Sequence, residues 1–290
     1  MPGKRRHIRE KRKIKSKKFG IFFKILLPII LILAAGLFLL LNTKYWNGKD
    51  KFIFVSRMAD GGASVTILDP KLDEETVLTI PGETEVTVAR NLGILRLKNV
   101  WQLGINEKIE GRLAAETISQ NFLFPVFLFR DDSSHKTNIP LGDSLLIKFF
   151  LIGIKPINKS EIDLAKSQFL SKVKLNDGTT GYRLSAPVSG VLTSYFSDND
   201  LANLTLRVGI VDGTGKAGVA QKVGEMIEVL GGKIVSIDKK EILAGSDCVI
   251  NGKDAQVARK LANLFSCKVQ SQKTDFDIEV TLGEKFGKRF

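Results

Sequence analysis

Leu206 to Ala220 reads LRVGIVDGTGKAGVA, and this stretch decides the fold of the C-terminal third. Alternating β-branched residues form a strand, Asp212-Gly213-Thr214-Gly215 a tight turn, and Lys216 opens a helix to Leu230 whose face is Val219, Val223, Met226, Ile227 and Leu230. Gly231-Gly232 closes that helix and Lys233 to Ile237 returns as a strand. The order then repeats: a strand at Asp247 to Asn251, a helix at Lys253 to Ser266 with Val257, Leu261, Leu264 and Phe265 inward, and short strands at Cys267 to Val269 and Ile278 to Leu282. The pattern predicts a βαβ-βαβ sandwich over 204–290, long enough to hold its own core.

The turn carries a nucleotide-binding signature. Gly213-Thr214-Gly215-Lys216-Ala217-Gly218 is G-x-G-x-x-G after a strand and before a helix, and Asp238 lies about twenty residues on. Gly213, Thr214, Gly215 and Gly218 are therefore ligand-binding candidates at a helix N-terminus. Against a dinucleotide stand the short domain and the fact that glycines making a tight turn need no ligand. Cys248 begins one strand and Cys267 follows the returning helix, so a disulfide and two buried thiols are both open readings.

Upstream, 42–203 reads as a second α/β or α+β segment. Phe52 to Val55, Ser64 to Leu68, Thr76 to Ile80 and Glu85 to Val88 are strands; Arg112 to Phe122 is a helix; Ser160-Glu161-Ile162-Asp163 looks like the capped start of another, with Ile162, Ala165, Phe169 and Leu170 inward. Leu145 to Ile154 is too short to span a membrane and reads as a buried helix or strand. The loop Arg130 to Lys136 sets His135 beside Ser133, Ser134, Asp131 and Asp132, a run better read as a solvated turn than as a catalytic triad.

Further out, Phe19 to Leu41 holds 23 residues with one charge, Lys24, and reads as a transmembrane helix. It continues past the small-residue site Ala34-Ala35-Gly36, which favours an uncleaved anchor over a signal peptide. Tyr45 and Trp46 stand where interfacial rings belong, and the basic tail 1–18 places the N-terminus inside and the modules outside. Of the whole-chain charge of +13, this tail holds +9. Its partner is then anionic lipid rather than nucleic acid. With two histidines and two cysteines the chain has no residue set for a structural zinc site, and no metal or cofactor is expected.

Leu206 to Ala220, Ala255 to Ala262 and Asp277 to Gly283 together resemble the C-terminal domain of LytR/CpsA/Psr-type cell-envelope proteins, with Asp212 in place of the usual Asn. The basic tail, single span and outer modules are similar to that family's layout. The middle segment resembles a degenerate form of the family's catalytic domain: the family pattern I-P-R-D-T is here Ile80-Pro81-Gly82-Glu83-Thr84, and no Arg-rich D-x-x-R-x-x-R-Q helix follows. The resemblance implies transfer of undecaprenyl-pyrophosphate-linked glycopolymers to peptidoglycan, yet Gly82 has no guanidinium to offer a phosphate. The expectation is a membrane-anchored envelope protein, non-catalytic, that binds a wall polymer, a lipid-linked intermediate or an envelope protein. The alternative is a diverged glycopolymer transferase whose phosphate contacts come from Arg90, Arg96, Arg112 or Arg130.

Overall fold

The computed structural model describes residues 26–34, 36–38, 43–185, 189–198, 201–202, 206–271 and 274–290. The basic tail 1–18 lies outside the described residues, as does part of the 19–41 segment. Within that segment, residues 26–34 and 36–38 are helical. Among the described residues no helix is long and apolar enough to cross a membrane.

In chain order the strands are β1 Phe52–Arg57, β2 Ala63–Asp69, β3 Glu74–Ile80, β4 Glu85–Thr87, β5 Ile94–Arg96, β6 Leu128–Asp131, β7 Lys136–Thr137, β8 Lys159–Asp163, β9 Leu170–Lys174 and β10 Thr180–Leu184, followed by β11 Arg207–Asp212, β12 Lys233–Lys239, β13 Cys248–Gly252, β14 Lys268–Gln270 and β15 Ile278–Leu282. The helices are α1 Leu97–Asn106, α2 Arg112–Phe122, α3 Leu141–Gly153, α4 Ser189–Phe196, α5 Val219–Val229, α6 Ala255–Phe265 and α7 Glu284–Arg289.

The fold is mixed α/β with two mixed sheets. The first has the order β7-β6-β1-β2-β3-β8. β1 to β3 form an antiparallel meander, with Val55 opposite Val65 and Val65 opposite Leu78, while β6 and β8 add parallel to β1 and β3. Period-2 alternation sends Val55, Val65, Ile67, Leu78 and Ile80 into a core with Val100 and Trp101 of α1 and Leu113, Ile118 and Phe122 of α2. These side chains are almost fully buried.

The second sheet has the order β12-β11-β15-β13-β14. β11-α5-β12 and β13-α6-β14 are two parallel crossover units, and the last strand, β15, inserts between them, parallel to β11 and antiparallel to β13. Val208, Ile210, Ile250, Ile278, Val280 and Leu282 pack against Val223, Ile227, Val257, Leu261 and Phe265. The amphipathic faces read from the sequence are the faces buried here. At the start of α6, Asp254 Oδ1 accepts from the N–H groups of Gln256 (2.8 Å) and Val257 (3.1 Å), a regular N-cap.

Three expectations are corrected. Ser160 to Asp163 is strand β8: Ile162 pairs with Leu78, and the carboxylate of Asp163 caps only a single 3₁₀ turn through Ala165 N–H. An edge position beside a strand that lacks a partner outweighs a four-residue capping signal. Trp46 is not an interfacial ring; it is buried against Phe52 and Phe150, with Nε1 donating to the carbonyl of Asp50 at 2.7 Å. The Leu145–Ile154 run is helix α3, but one of its faces is exposed rather than buried.

Candidate functional site

The end of β3 is where the family resemblance places its phosphate contact. Pro81 stops the strand and turns the chain so that Gly82, Glu83 and Thr84 run between three neighbouring segments. Gly82 N–H donates to Asp60 Oδ2 at 3.1 Å, and Gly82 C=O accepts from Lys98 N–H at 3.0 Å. Thr84 C=O accepts from Leu97 N–H (2.9 Å) and Glu83 C=O from Tyr182 N–H (3.1 Å). A Cβ at position 82 would lie 2.4 Å from the carbonyl oxygen of Asp60 and 2.9 Å from Gly62 N. The glycine is thus demanded by the crossing of two backbones. No arginine fits there without moving the 60–62 turn, whose own geometry Asp60 Oδ1 fixes by accepting from Gly62 N–H at 2.8 Å.

Cations do stand nearby, but each is committed. Arg96 donates to Glu83 at 2.5 Å and also to Asp177 and Thr179; Lys98 pairs with the other oxygen of Glu83. These bonds, Lys98's foremost and then Arg96's, hold the Glu83 carboxyl below the usual carboxylate range against the opposing effect of burial. A groove of about 290 Å³ opens beside them, lined by Glu85, Ile94, Leu95, Arg96, Asn99 and Leu175 to Asp177. Its two carboxylates outnumber its one guanidinium, the wrong balance for a pyrophosphate.

Arg90 and Arg112 converge elsewhere. Arg90 grips Glu116 through two bonds of 2.7 and 2.9 Å, and Arg112 reaches the same carboxylate at 2.9 Å and Ser266 Oγ at 2.7 Å. Glu116 raises the Arg90 pKa, chiefly through the hydrogen bond. Arg112 and Glu116 line a cleft with Val126, Phe127, Met226, Leu264, Phe265, Phe290 and Arg289. Its cavity is about 30 Å³, room for a water or two and not for a polyprenyl chain. Arg130 is away from all of these, pairing with Asp132 at 2.7 Å.

The Gly213 to Gly218 turn is filled by its own chain. Asp212 Oδ1 accepts from Thr214 N–H (3.0 Å) and Thr214 Oγ1 (2.6 Å), and Thr214 Oγ1 in turn accepts from Lys216 N–H at 3.1 Å. An acceptor oxygen is all this needs, so Asp serves where Asn is usual. A Cβ on Gly213 would lie 2.5 Å from Leu243, and Gly215, at φ +71°, lies under Ile242. Gly287 of α7 backs onto Thr214. Gly218, at φ +79°, precedes α5 without a side-chain cap.

Cys248 of β13 and Cys267, just after α6, are joined by a disulfide. Arg289 closes over it, donating to Phe265 C=O at 2.8 Å and pairing with Asp247 at 2.9 Å. The Ser133, Ser134 and His135 loop is the β6–β7 turn. Both serine hydroxyls donate to Asp131, at 2.6 and 2.8 Å, and the N–H groups of Ser133 and Ser134 donate to the same carboxylate at 3.0 and 3.3 Å, so Asp131 closes the turn as an aspartate at a turn's first position does. Burial opposes ionisation of Asp131, yet these donors hold its pKa below the usual value. Among the described residues no cluster of His, Cys, Asp and Glu suits a metal ion.

Residues 205–286 match the LytR_C family, the LytR cell envelope-related transcriptional attenuator. The C-terminal module is a LytR_C domain. No curated protein matches the chain. Among solved structures, the transcriptional regulator yvhJ from Bacillus subtilis aligns over 49% of this chain and 92% of its own at 12% identity, with a TM-score of 0.36. TagT bound to LIIa-WTA aligns over 50% and 88% at 11% identity and a TM-score of 0.37. The LytR-CPS2A-psr family protein YwtF (TagT) with bound octaprenyl pyrophosphate lipid aligns over 77% and 93% at 11% identity and 0.25.

Proposed function

We propose that the chain is a membrane-anchored cell-envelope protein, held by the 19–41 helix with the basic tail 1–18 inside, whose outer modules 42–203 and 204–290 bind a wall polymer, a lipid-linked intermediate or an envelope protein without transferring it. The observation that carries the non-catalytic reading is position 82. A backbone crossing occupies the space of the phosphate-contacting guanidinium, and the nearest cations, Arg96 and Lys98, are held by Glu83 and Asp177. The LytR_C domain supports the envelope assignment. Within this reading the Gly213, Thr214, Gly215 and Gly218 turn is structural, and its backbone donors take no dinucleotide.

The test uses the full chain in vesicles, offered a polyprenyl-pyrophosphate-linked glycopolymer and purified cell wall. Retention of wall material or of the glycopolymer with no release of polyprenyl phosphate is expected. Release with turnover sinks the reading.

One observation favours the alternative of a diverged transferase: Arg90 and Arg112 meet at Glu116 beside an apolar cleft. In that reading Glu116 gives up one arginine to a phosphate as the cleft widens. Arg112→Ala would then abolish turnover while leaving the melting temperature nearly unchanged.

A further inference from the structure

Helix α3, Leu141–Gly153, is apolar nearly all round, a composition that belongs in a core or in lipid. One face is buried: Gly142, Asp143 and Ile147. With about 100° per residue, Leu141, Leu145, Lys148 and Phe149 fall together on the other side, within an arc of about 100°. Leu141 is 75% exposed and Phe149 60%, and Lys148 is exposed among them. A leucine and a phenylalanine facing water about two turns apart on this side call for an occupant.

The position of the helix says which. Asp143, fully buried, accepts hydrogen bonds from the backbone N–H groups of Lys44 (3.2 Å) and Tyr45 (3.1 Å). Lys44 lies three residues after Leu41, the end of the span read from the sequence, so at most about 11 Å of extended chain separates them. The first turn of α3 is thereby pinned at the level where the chain leaves the hydrocarbon. Lys148 sits at one edge of the stripe, and its four-carbon stem is long enough to run along apolar surface while its ammonium group reaches anionic headgroups.

We propose that α3 lies on the outer leaflet, with Leu141, Leu145 and Phe149 in the boundary between headgroups and acyl chains and Lys148 at the headgroups. The 19–41 anchor and this helix then hold the protein at two places. The inference rests on the anchored reading above.

The experiment uses the full chain with its disulfide intact, carrying one added cysteine labelled with a fluorophore, in vesicles of phosphatidylethanolamine and phosphatidylglycerol. Three labelled variants are compared: Phe149→Cys, Lys240→Cys on the C-terminal module, and Leu33→Cys within the span. Each is quenched by shallow nitroxide lipid, by deep nitroxide lipid and by aqueous iodide. At 149, strong quenching by the lipid and weak quenching by iodide is expected, with the reverse at 240 and deep-lipid quenching at 33. Lipid quenching at 33 with iodide quenching at 149 overturns the docking helix and leaves the anchor standing. Protection of 149 from both quenchers means that protein covers the face, which also overturns it. Iodide quenching at 33 removes the anchor and the inference together.

Discussion

At the residue scale, Gly82 is the informative position. From sequence alone it is an arginine lost; in the fold it is a place where no side chain fits, because Asp60 C=O stands 2.4 Å from where a Cβ would be. Restoring the family residue by Gly82→Arg is therefore expected to destabilise the protein by about 1–3 kcal/mol, as overpacking does, with no gain of transfer. Thermal unfolding and a polyprenyl phosphate release assay check both halves. Glu83 carries a pH signature. Its carboxyl is held below its ordinary value of 4.5. Its ion pairs with Lys98 and Arg96 thus stabilise the fold fully above that pH and are lost as the pH falls through the lower, folded value. Glu83→Gln should be less stable than the parent at pH 7 and should show a shallower loss of stability on acidification below pH 4.5. An unchanged acid slope contradicts this assignment.

At the element scale, the C-terminal module was readable because its signals agree: helical faces at 3.6 spacing, strands of β-branched residues, and glycine at the turns. The structure adds β15 between the two crossover units, an order no periodicity encodes. Elsewhere local and tertiary preferences part. Helix α1 has no start signal in the sequence: it begins after Arg96 with no side-chain cap, and Leu95-Arg96-Leu97-Lys98 alternates as a strand would. Lys159 to Asp163 shows the converse, a cap-like sequence recruited as an edge strand by β3. Phe276, covering Gly209, and Leu243, covering Gly213, are contacts of loop residues that carry no pattern at all. The disulfide gives a prediction at this scale. It closes a loop of 19 residues between β13 and the end of α6, so Cys248→Ser with Cys267→Ser should lower stability by about 2–4 kcal/mol. Chemical denaturation of both forms, with and without reductant, checks it; equal midpoints contradict it.

At the scale of the whole molecule, one lysine ties together residues far apart in the sequence. Lys260 of α6 donates to Asp198 Oδ2 at 3.0 Å and pairs with Asp50 at 3.1 Å, so one ammonium bridges two carboxylates from distant parts of the chain. Burial raises the Asp50 pKa but the hydrogen bonds from Lys260 and Asn47 prevail and lower it. Lys260→Met leaves those carboxylates without their shared cation, and calorimetry should show unfolding at a lower temperature than in the parent. An unaltered unfolding temperature contradicts that role. Charge at this scale also divides in the sequence: the tail 1–18 holds +9 of the +13, and Arg90, Arg96 and Arg183 pair with carboxylates of the fold itself.

Two backbones cross at position 82, and Arg96 and Lys98 beside it are held by Glu83 and Asp177, which is the ground for proposing binding without transfer. The most direct measurement gives the full chain in vesicles a radiolabelled polyprenyl-pyrophosphate-linked glycopolymer together with purified cell wall, and follows polyprenyl phosphate and wall-bound label over time. Binding that saturates, with no polyprenyl phosphate released and no covalent label on the wall, is the predicted result. Time-dependent release with label transferred to peptidoglycan contradicts it.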